Sequence, residues 1–228
     1  MKKYFAQLLI FSISFFCCTQ ANAINLAIDE VLLDCIPTPG FVSETYPGEE
    51  NISRINNLRR KTGIALVAQG EPIYVIGKVV DEDCIPVEDA KVEMWHANAY
   101  GVYQKALESG EKKDENFLSA GFVLTDNLGH FNFLSIFPGA ANETTAPRLH
   151  FKIKHKDFEP FETVMYFPEE ATNLSDTTLE SLGENSDYII ASHKLTIQDG
   201  SKGLEIPEQD TVYNFNITLK GKYTQKHY

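Results

Sequence analysis

Cysteine, positive charge and long apolar runs are all scarce in this chain, and each scarcity narrows what it can be. Four cysteines are present, and Cys17 and Cys18 fall in the opening stretch. That leaves Cys35 and Cys84, neither in a C-x-x-C, and two thiolates alone cannot build a four-ligand structural zinc site. Basic residues number 20 against 32 acidic ones, a formal net charge of −12. A surface of that sign repels nucleic acid and anionic lipid. There is no basic patch interleaved with aromatics, no internal repeat and no glycine-rich phosphate loop. No nucleophilic triad can be assembled, and the plentiful carboxylates are not paired in a way that singles out acid–base work.

The apolar run Ala6–Phe16 is too short to span a bilayer comfortably. With Lys2 and Lys3 before it and Ala21-Asn22-Ala23 after it, residues 1–23 read as a secretory signal peptide. Phe15 and Phe16 are too bulky for Cys17 to be a lipid-anchor site, so the expectation is an exported protein, periplasmic or secreted, that is off the membrane after cleavage. Taking away Lys2 and Lys3 leaves 18 basic against 32 acidic residues, a mature charge of about −14. Residues 24–228 suit a single domain. In an oxidising compartment Cys35 and Cys84 are a disulfide candidate, the other reading being two separate buried thiols. Four N-x-S/T sequons (Asn51, Asn142, Asn173, Asn216) matter only in a glycosylating cell.

What is present is mostly strand. Ile73–Asp81, Ala90–Ala97, His130–Ile136, Arg148–His155, Glu162–Phe167 and Thr211–Leu219 carry strand signals. Gly121–Thr125, the turn Asp126–Gly129 and His130–Ile136 read as a hairpin. Only Thr172–Leu182, with a Ser or Asp cap, has helical promise. Short strands punctuated by turns predict an all-β sandwich or barrel. Residues up to about Lys61 read as a loop-rich arm packed over the core.

The stretch from Pro138 to Lys154 carries most of the functional information. Leu149, Phe151 and Ile153 alternate with Arg148, His150, Lys152 and Lys154, the period of a strand with one face in a core and one available for chemistry. Trp95 reads as a core aromatic. Tyr103, just after a glycine turn, and His150 each have an ordinary reading as a satisfied polar group. His130 falls at a turn and is expected to be exposed.

Set end to end, several phrases resemble the intradiol ring-cleavage dioxygenases, ferric enzymes acting on catechols and protocatechuate. Trp95, Ala97, Asn98, Gly101 and Tyr103 match that family's W-[HQ]-A-N-x-x-G-x-Y signature. GFVLTDNLGHFNFLSIFPG, LHFKI, MYFP and YNFNITLKG resemble its later strands in order, over most of residues 35–222. The resemblance implies a β-sandwich of the intradiol dioxygenase type and Fe(III) held by two tyrosines and two histidines, with room for a catecholate. It puts the first tyrosine at Tyr103 and the second at Ala141, after Pro138-Gly139-Ala140. The R-P-A-H-x-H-F run becomes Thr145-Ala146-Pro147-Arg148-Leu149-His150-Phe151, so His150 remains and Arg148 stands where the other histidine would be. The family's arginine falls on Thr145, and its glutamine on Val164.

Alanine has no donor atom and a guanidinium no usable lone pair. The expectation is therefore a dioxygenase-like protein without ferric ring cleavage and without a bound metal, in which Tyr103 and His150 are remnant ligands. Arg148 is expected to anchor a small aromatic or anionic ligand or a partner. Two other readings stay open: a working iron-dependent dioxygenase, with Glu143 as a replacement donor, and a secreted interaction module without chemistry.

Overall fold

A computed structural model of the chain describes residues 35–103, 113–193 and 211–223; the expected signal peptide, 1–23, lies outside them. Ten strands follow in chain order: β1 Ser53–Arg54, β2 Pro72–Val80, β3 Lys91–Trp95, β4 Ala120–Leu124, β5 His130–Ile136, β6 Arg148–His155, β7 Phe158–Tyr166, β8 Ser192–His193, β9 Thr211–Asn214 and β10 Ile217–Thr218. One sheet runs β1-β4-β3-β6-β7. The other runs β10-β2-β9-β8, with β5 also paired to β2.

The period of two places the core. Ile73, Val75 and Val79 of β2 and Phe131 and Phe133 of β5 meet Val92 and Met94 of β3 and Leu149, Phe151 and Ile153 of β6 in one buried cluster. Both sheets therefore close their apolar faces on each other, as a sandwich requires. The opposite face of β3 and β6 carries Glu93, Trp95, Arg148, His150, Lys152 and Lys154, and it is covered by the arm rather than by the second sheet.

Trp95 is buried, but on that outer face, among Ile52, Ala120, Tyr46, Tyr103 and Phe122. The expectation of a tryptophan in the sandwich core is corrected: alternation sends it to the side of Glu93. The expected hairpin is also corrected. Its turn forms, with the Asp126 carboxylate accepting from the amides of Leu128 and His130. The strands it joins belong to different sheets, β4 pairing with β3 and β5 with β2. A tight polar turn serves a sheet crossing as well as a hairpin, and local sequence does not separate the two. The Thr211–Leu219 strand is split at Phe215 into β9 and β10, both parallel to β2.

Of the expected helix only Thr177–Leu182, α1, is α-helical. Extended Asp176 interrupts the run and caps it, accepting from the amides of Thr178 and Leu179, with a 3-10 turn at Ala171–Ser175 before it. The Cys35–Cys84 disulfide forms and ties the start of the arm to the β2–β3 turn. Beside it, fully buried Asp81 accepts from the amides of Asp83, Ile85 and Tyr223, holding the last described residues to the same turn.

Truncating Phe151→Ala in the core should cost about 3–5 kcal/mol through lost contacts and a cavity. Val42→Ala on the arm, where the side chain is 82% exposed, should change stability by less than about 0.5 kcal/mol. Equilibrium urea unfolding of both variants checks the contrast.

Candidate functional site

The outer face is built by cross-strand register. His150 lies opposite Trp95 of β3 on one side and Val164 of β7 on the other. Arg148 lies opposite Tyr166, and Lys152 opposite Glu93 and Glu162. Directly opposed residues in a sheet are within side-chain reach, so the strands deliver a cation, an imidazole and aromatics as one patch. A loop completes it. Gly101, at φ 77°, lies so close to the Pro138–Ala141 segment that a Cβ there would sit 2.0 Å from the Ala140 carbonyl. The Gly139 amide donates to the Asn98 carbonyl. Two glycines thus let the loop carrying Tyr103 nest against the loop carrying Ala141.

His150 is the centre. Its ring stacks on Trp95 at 5.2 Å between centroids and 15° between planes, with Tyr103 and Phe41 at 5.7 and 5.9 Å. Tyr103 Oη and His150 Nε2 are 2.9 Å apart. Burial pushes the imidazole well below its usual pKa, and the charge of Arg148 pushes it the same way. Burial raises the Tyr103 phenol, with Arg148 and Thr45 pulling it partly back. At neutral pH the pair is a phenol and a neutral imidazole. The Tyr103 hydroxyl and His150 Nε2 share one hydrogen bond, which leaves Nδ1 as the other polar atom of the ring. That atom is buried without a hydrogen-bond partner, as is Arg148 Nε.

Arg148 is held in place. Its Nη1 donates to Tyr166 Oη at 2.8 Å and lies 3.9 Å from Asp176, and its guanidinium faces the Phe41 ring at 5.1 Å. Burial disfavours the charge, but Tyr166, Tyr103 and Asp176 outweigh it and hold the pKa above the usual value. Tyr166 in turn donates to Asp176 Oδ1, while Asp176 Oδ2 accepts from the Ala146 amide.

The structure brings Tyr103 and His150, two of the expected site residues, within hydrogen-bond distance, with Arg148 on the same strand face. Ala141 and Glu143 are exposed, and Val164 and Tyr166 pack with Ala146, Leu179 and Ile189 in an apolar cluster beside α1. Among the described residues no group of three or more His, Cys, Asp and Glu side chains comes together as metal ligands do. His96 is buried with both ring nitrogens engaged away from Tyr103 and Arg148, its Nδ1 on the Ala97 carbonyl and its Nε2 2.6 Å from Ser135 Oγ. His130, expected to be exposed, is of intermediate burial, with its side chain 43% accessible and paired with Asp126.

Missed from the sequence were Phe41, Thr45 and Tyr46 of the arm, and Tyr166, Asp176 and Glu93. Glu93 is fully buried between Lys91, Lys154 and the Tyr46 hydroxyl. A glutamate flanked by Val92 and Met94, two residues from Lys91, was a usable signal for it; nothing local marks the arm residues. On the β4 side a cleft of about 340 Å³ is lined by Val102, Ala120, Asn98, Ser119, Lys61 and Lys113, and its Ala120 belongs to the Trp95 cluster.

Residues 50–221 match the family model described as Dioxygenase. The chain is 31% identical over 181 residues to a Rickettsia typhi protein bearing a provisional dioxygenase name, covering 76% of this chain and 77% of that one. It is 34% identical over 162 residues to the protocatechuate 3,4-dioxygenase beta chain of Burkholderia cepacia, covering 67% and 66%. Among solved structures, an intradiol ring-cleavage dioxygenase from Tetranychus urticae superposes with a TM-score of 0.64 at 19% identity, over 84% of this chain and 98% of that one.

Two buried histidines kept neutral in the fold make stability depend on pH. Burial lowers His96 from 6.5 to about 4, and His150 moves the same way. Below the unfolded pKa the unfolded chain binds protons that the folded one refuses, so stability falls as pH drops from about 6.5 towards 4. At pH 5 the His96 contribution alone should be a loss of about 2 kcal/mol relative to pH 7. Urea unfolding at both pH values measures it, and His150→Gln should shrink the difference.

Proposed function

This chain belongs to the intradiol dioxygenase family, and we propose that it is an exported member that does not cleave rings with ferric iron and instead binds a small aromatic or anionic molecule at the outer-face site. The observation that carries this reading is Arg148, locked by Tyr166 and Asp176 on the strand position next to His150.

The donor set argues the same way. Ferric ion requires hard, anionic oxygen donors with imidazoles to complete its shell. Here one buried phenol and one imidazole are hydrogen-bonded to each other, and both would have to be freed, the phenol by losing a proton that burial holds. Asp176 spends its oxygens on the Ala146, Thr178 and Leu179 amides and on Tyr166. A guanidinium offers no lone pair and repels a trivalent cation. The residues present do not fit a ferric ion.

They do fit a planar anion. Arg148 supplies fixed charge, Tyr103 and His150 supply polar atoms, and Trp95 supplies an aromatic wall. Export is supported by the basic, apolar and small-residue pattern of residues 1–23 and by the Cys35–Cys84 disulfide, a bond favoured in oxidising compartments. The second reading, an active iron-dependent dioxygenase, is favoured by the protocatechuate enzyme among the relatives. A partner-binding module without ligand chemistry rests on the acidic surface and on the lack of a complete catalytic set.

Iron analysis and visible absorption of the purified protein separate the first two. The expected outcome is sub-stoichiometric iron, no phenolate-to-ferric colour and no oxygen uptake with catechol or protocatechuate. The double variant Ala141→Tyr, Arg148→His should bind more iron than the native chain. Stoichiometric iron with a visible phenolate band in the native protein would overturn the proposal.

A further inference from the structure

We propose that the arm segment Phe41–Tyr46 is a built-in occupant of the outer-face site, and that Phe41 holds the place a planar aromatic carboxylate takes when the segment lifts. The inference rests on the ligand-binding reading above and adds what keeps the site closed.

Geometry is the first support. The Phe41 ring faces both the Arg148 guanidinium, at 5.1 Å, and the His150 ring, at 5.9 Å. Beneath this cover His150 is 1% exposed and the Arg148 side chain 16%. Phe41 supplies the ring of such a ligand but no negative charge. Arg148 Nε and His150 Nδ1 remain buried without hydrogen-bond partners. Polar atoms of that kind are costly to leave unfilled, and a carboxylate on the displacing ring offers an acceptor to the Arg148 Nε–H.

The second support is how the segment is attached. The Phe41 amide donates to the Glu162 carbonyl at 2.8 Å and the Ser43 amide to the Glu162 carboxylate at 3.4 Å. Side chains of the segment make further contacts. Trp95 Nε1 donates to Thr45 at 3.2 Å, Tyr46 donates to Glu93 at 3.0 Å, and Lys152 lies over the Tyr46 ring at 4.3 Å. Beyond Tyr46, Glu49 pairs with Lys154. Upstream, the segment is tethered by the Cys35–Cys84 disulfide and by Thr38, which exchanges hydrogen bonds with Thr218. A strap fixed at both ends and held between them mainly by side chains can open locally without unfolding the sandwich.

The test is calorimetric titration of 4-hydroxybenzoate into the mature protein, Phe41→Ala, Tyr46→Phe, and Phe41→Ala combined with Arg148→Gln. Thermal unfolding verifies that each variant is folded, and amide hydrogen exchange at Phe41 reports strap opening. Removing the competitor should tighten binding by about tenfold or more in Phe41→Ala, since closed states reduce apparent affinity by the open fraction. Tyr46→Phe, which leaves Phe41 in place, should bind more tightly than native protein and exchange its Phe41 amide faster. Adding Arg148→Gln should abolish the gain. Equal or weaker binding in both single variants, with native protein still binding, would overturn the strap and leave the ligand reading intact. No binding by any folded variant would overturn the ligand reading, and the strap with it.

Discussion

The two-residue period of β6 is the constraint on which the rest depends. Leu149, Phe151 and Ile153 must enter the layer between the sheets, where they are packed among apolar side chains that cannot satisfy a charge. Arg148, His150, Lys152 and Lys154 are thereby fixed on the opposite face. A slip of one residue would bury three cations and a histidine and expose the core strand, so the register is strongly specified. The positions of Trp95, Glu93, Tyr166 and Val164 across the ladder follow from this one assignment.

Covering that polar face with the arm raises an electrostatic problem that the protein solves by pairing. Glu93, with no exposed surface, sits between Lys91 and Lys154 and accepts from Tyr46. Lys152 pairs with Glu162 at 2.9 Å. At the other end, Arg148 is met by Tyr166 and Asp176. A buried ion is tolerable only with partners and hydrogen bonds in place, because desolvation costs several kcal/mol per ion. Two buried atoms without a partner, Arg148 Nε and His150 Nδ1, lie on this face, on the two side chains that the Phe41 ring faces, and they separate the site from the structural ion pairs around it.

Much of this was legible in the residues. Alternation gave the strands, their faces and the pairing of His150 with a neighbouring arginine, and the resemblance to ring-cleavage dioxygenases led to Tyr103. The Cys35–Cys84 link was the pairing of the two cysteines outside the opening stretch. The sheet crossing at Asp126–Gly129 was not legible, because a turn motif records how the chain reverses and not which strand it then joins. Trp95 was misplaced because its hydrophobicity suggested the core, whereas its parity with Glu93 put it on the outer face.

By itself the sequence determined the architecture and the donor inventory: periodicity is a local property, and whether position 141 or 148 carries a lone pair is a matter of residue type. Only the tertiary structure decided what those residues do to one another. Phe41 is 109 positions from His150 along the chain, and Asp176 is 28 from Arg148, so their contacts depend on how the arm and α1 pack against the sheet rather than on any pattern within a segment. Burial, the neutral state of His150 and the anchoring of Arg148 arise from that packing, since desolvation exists only once the chain has closed over the face.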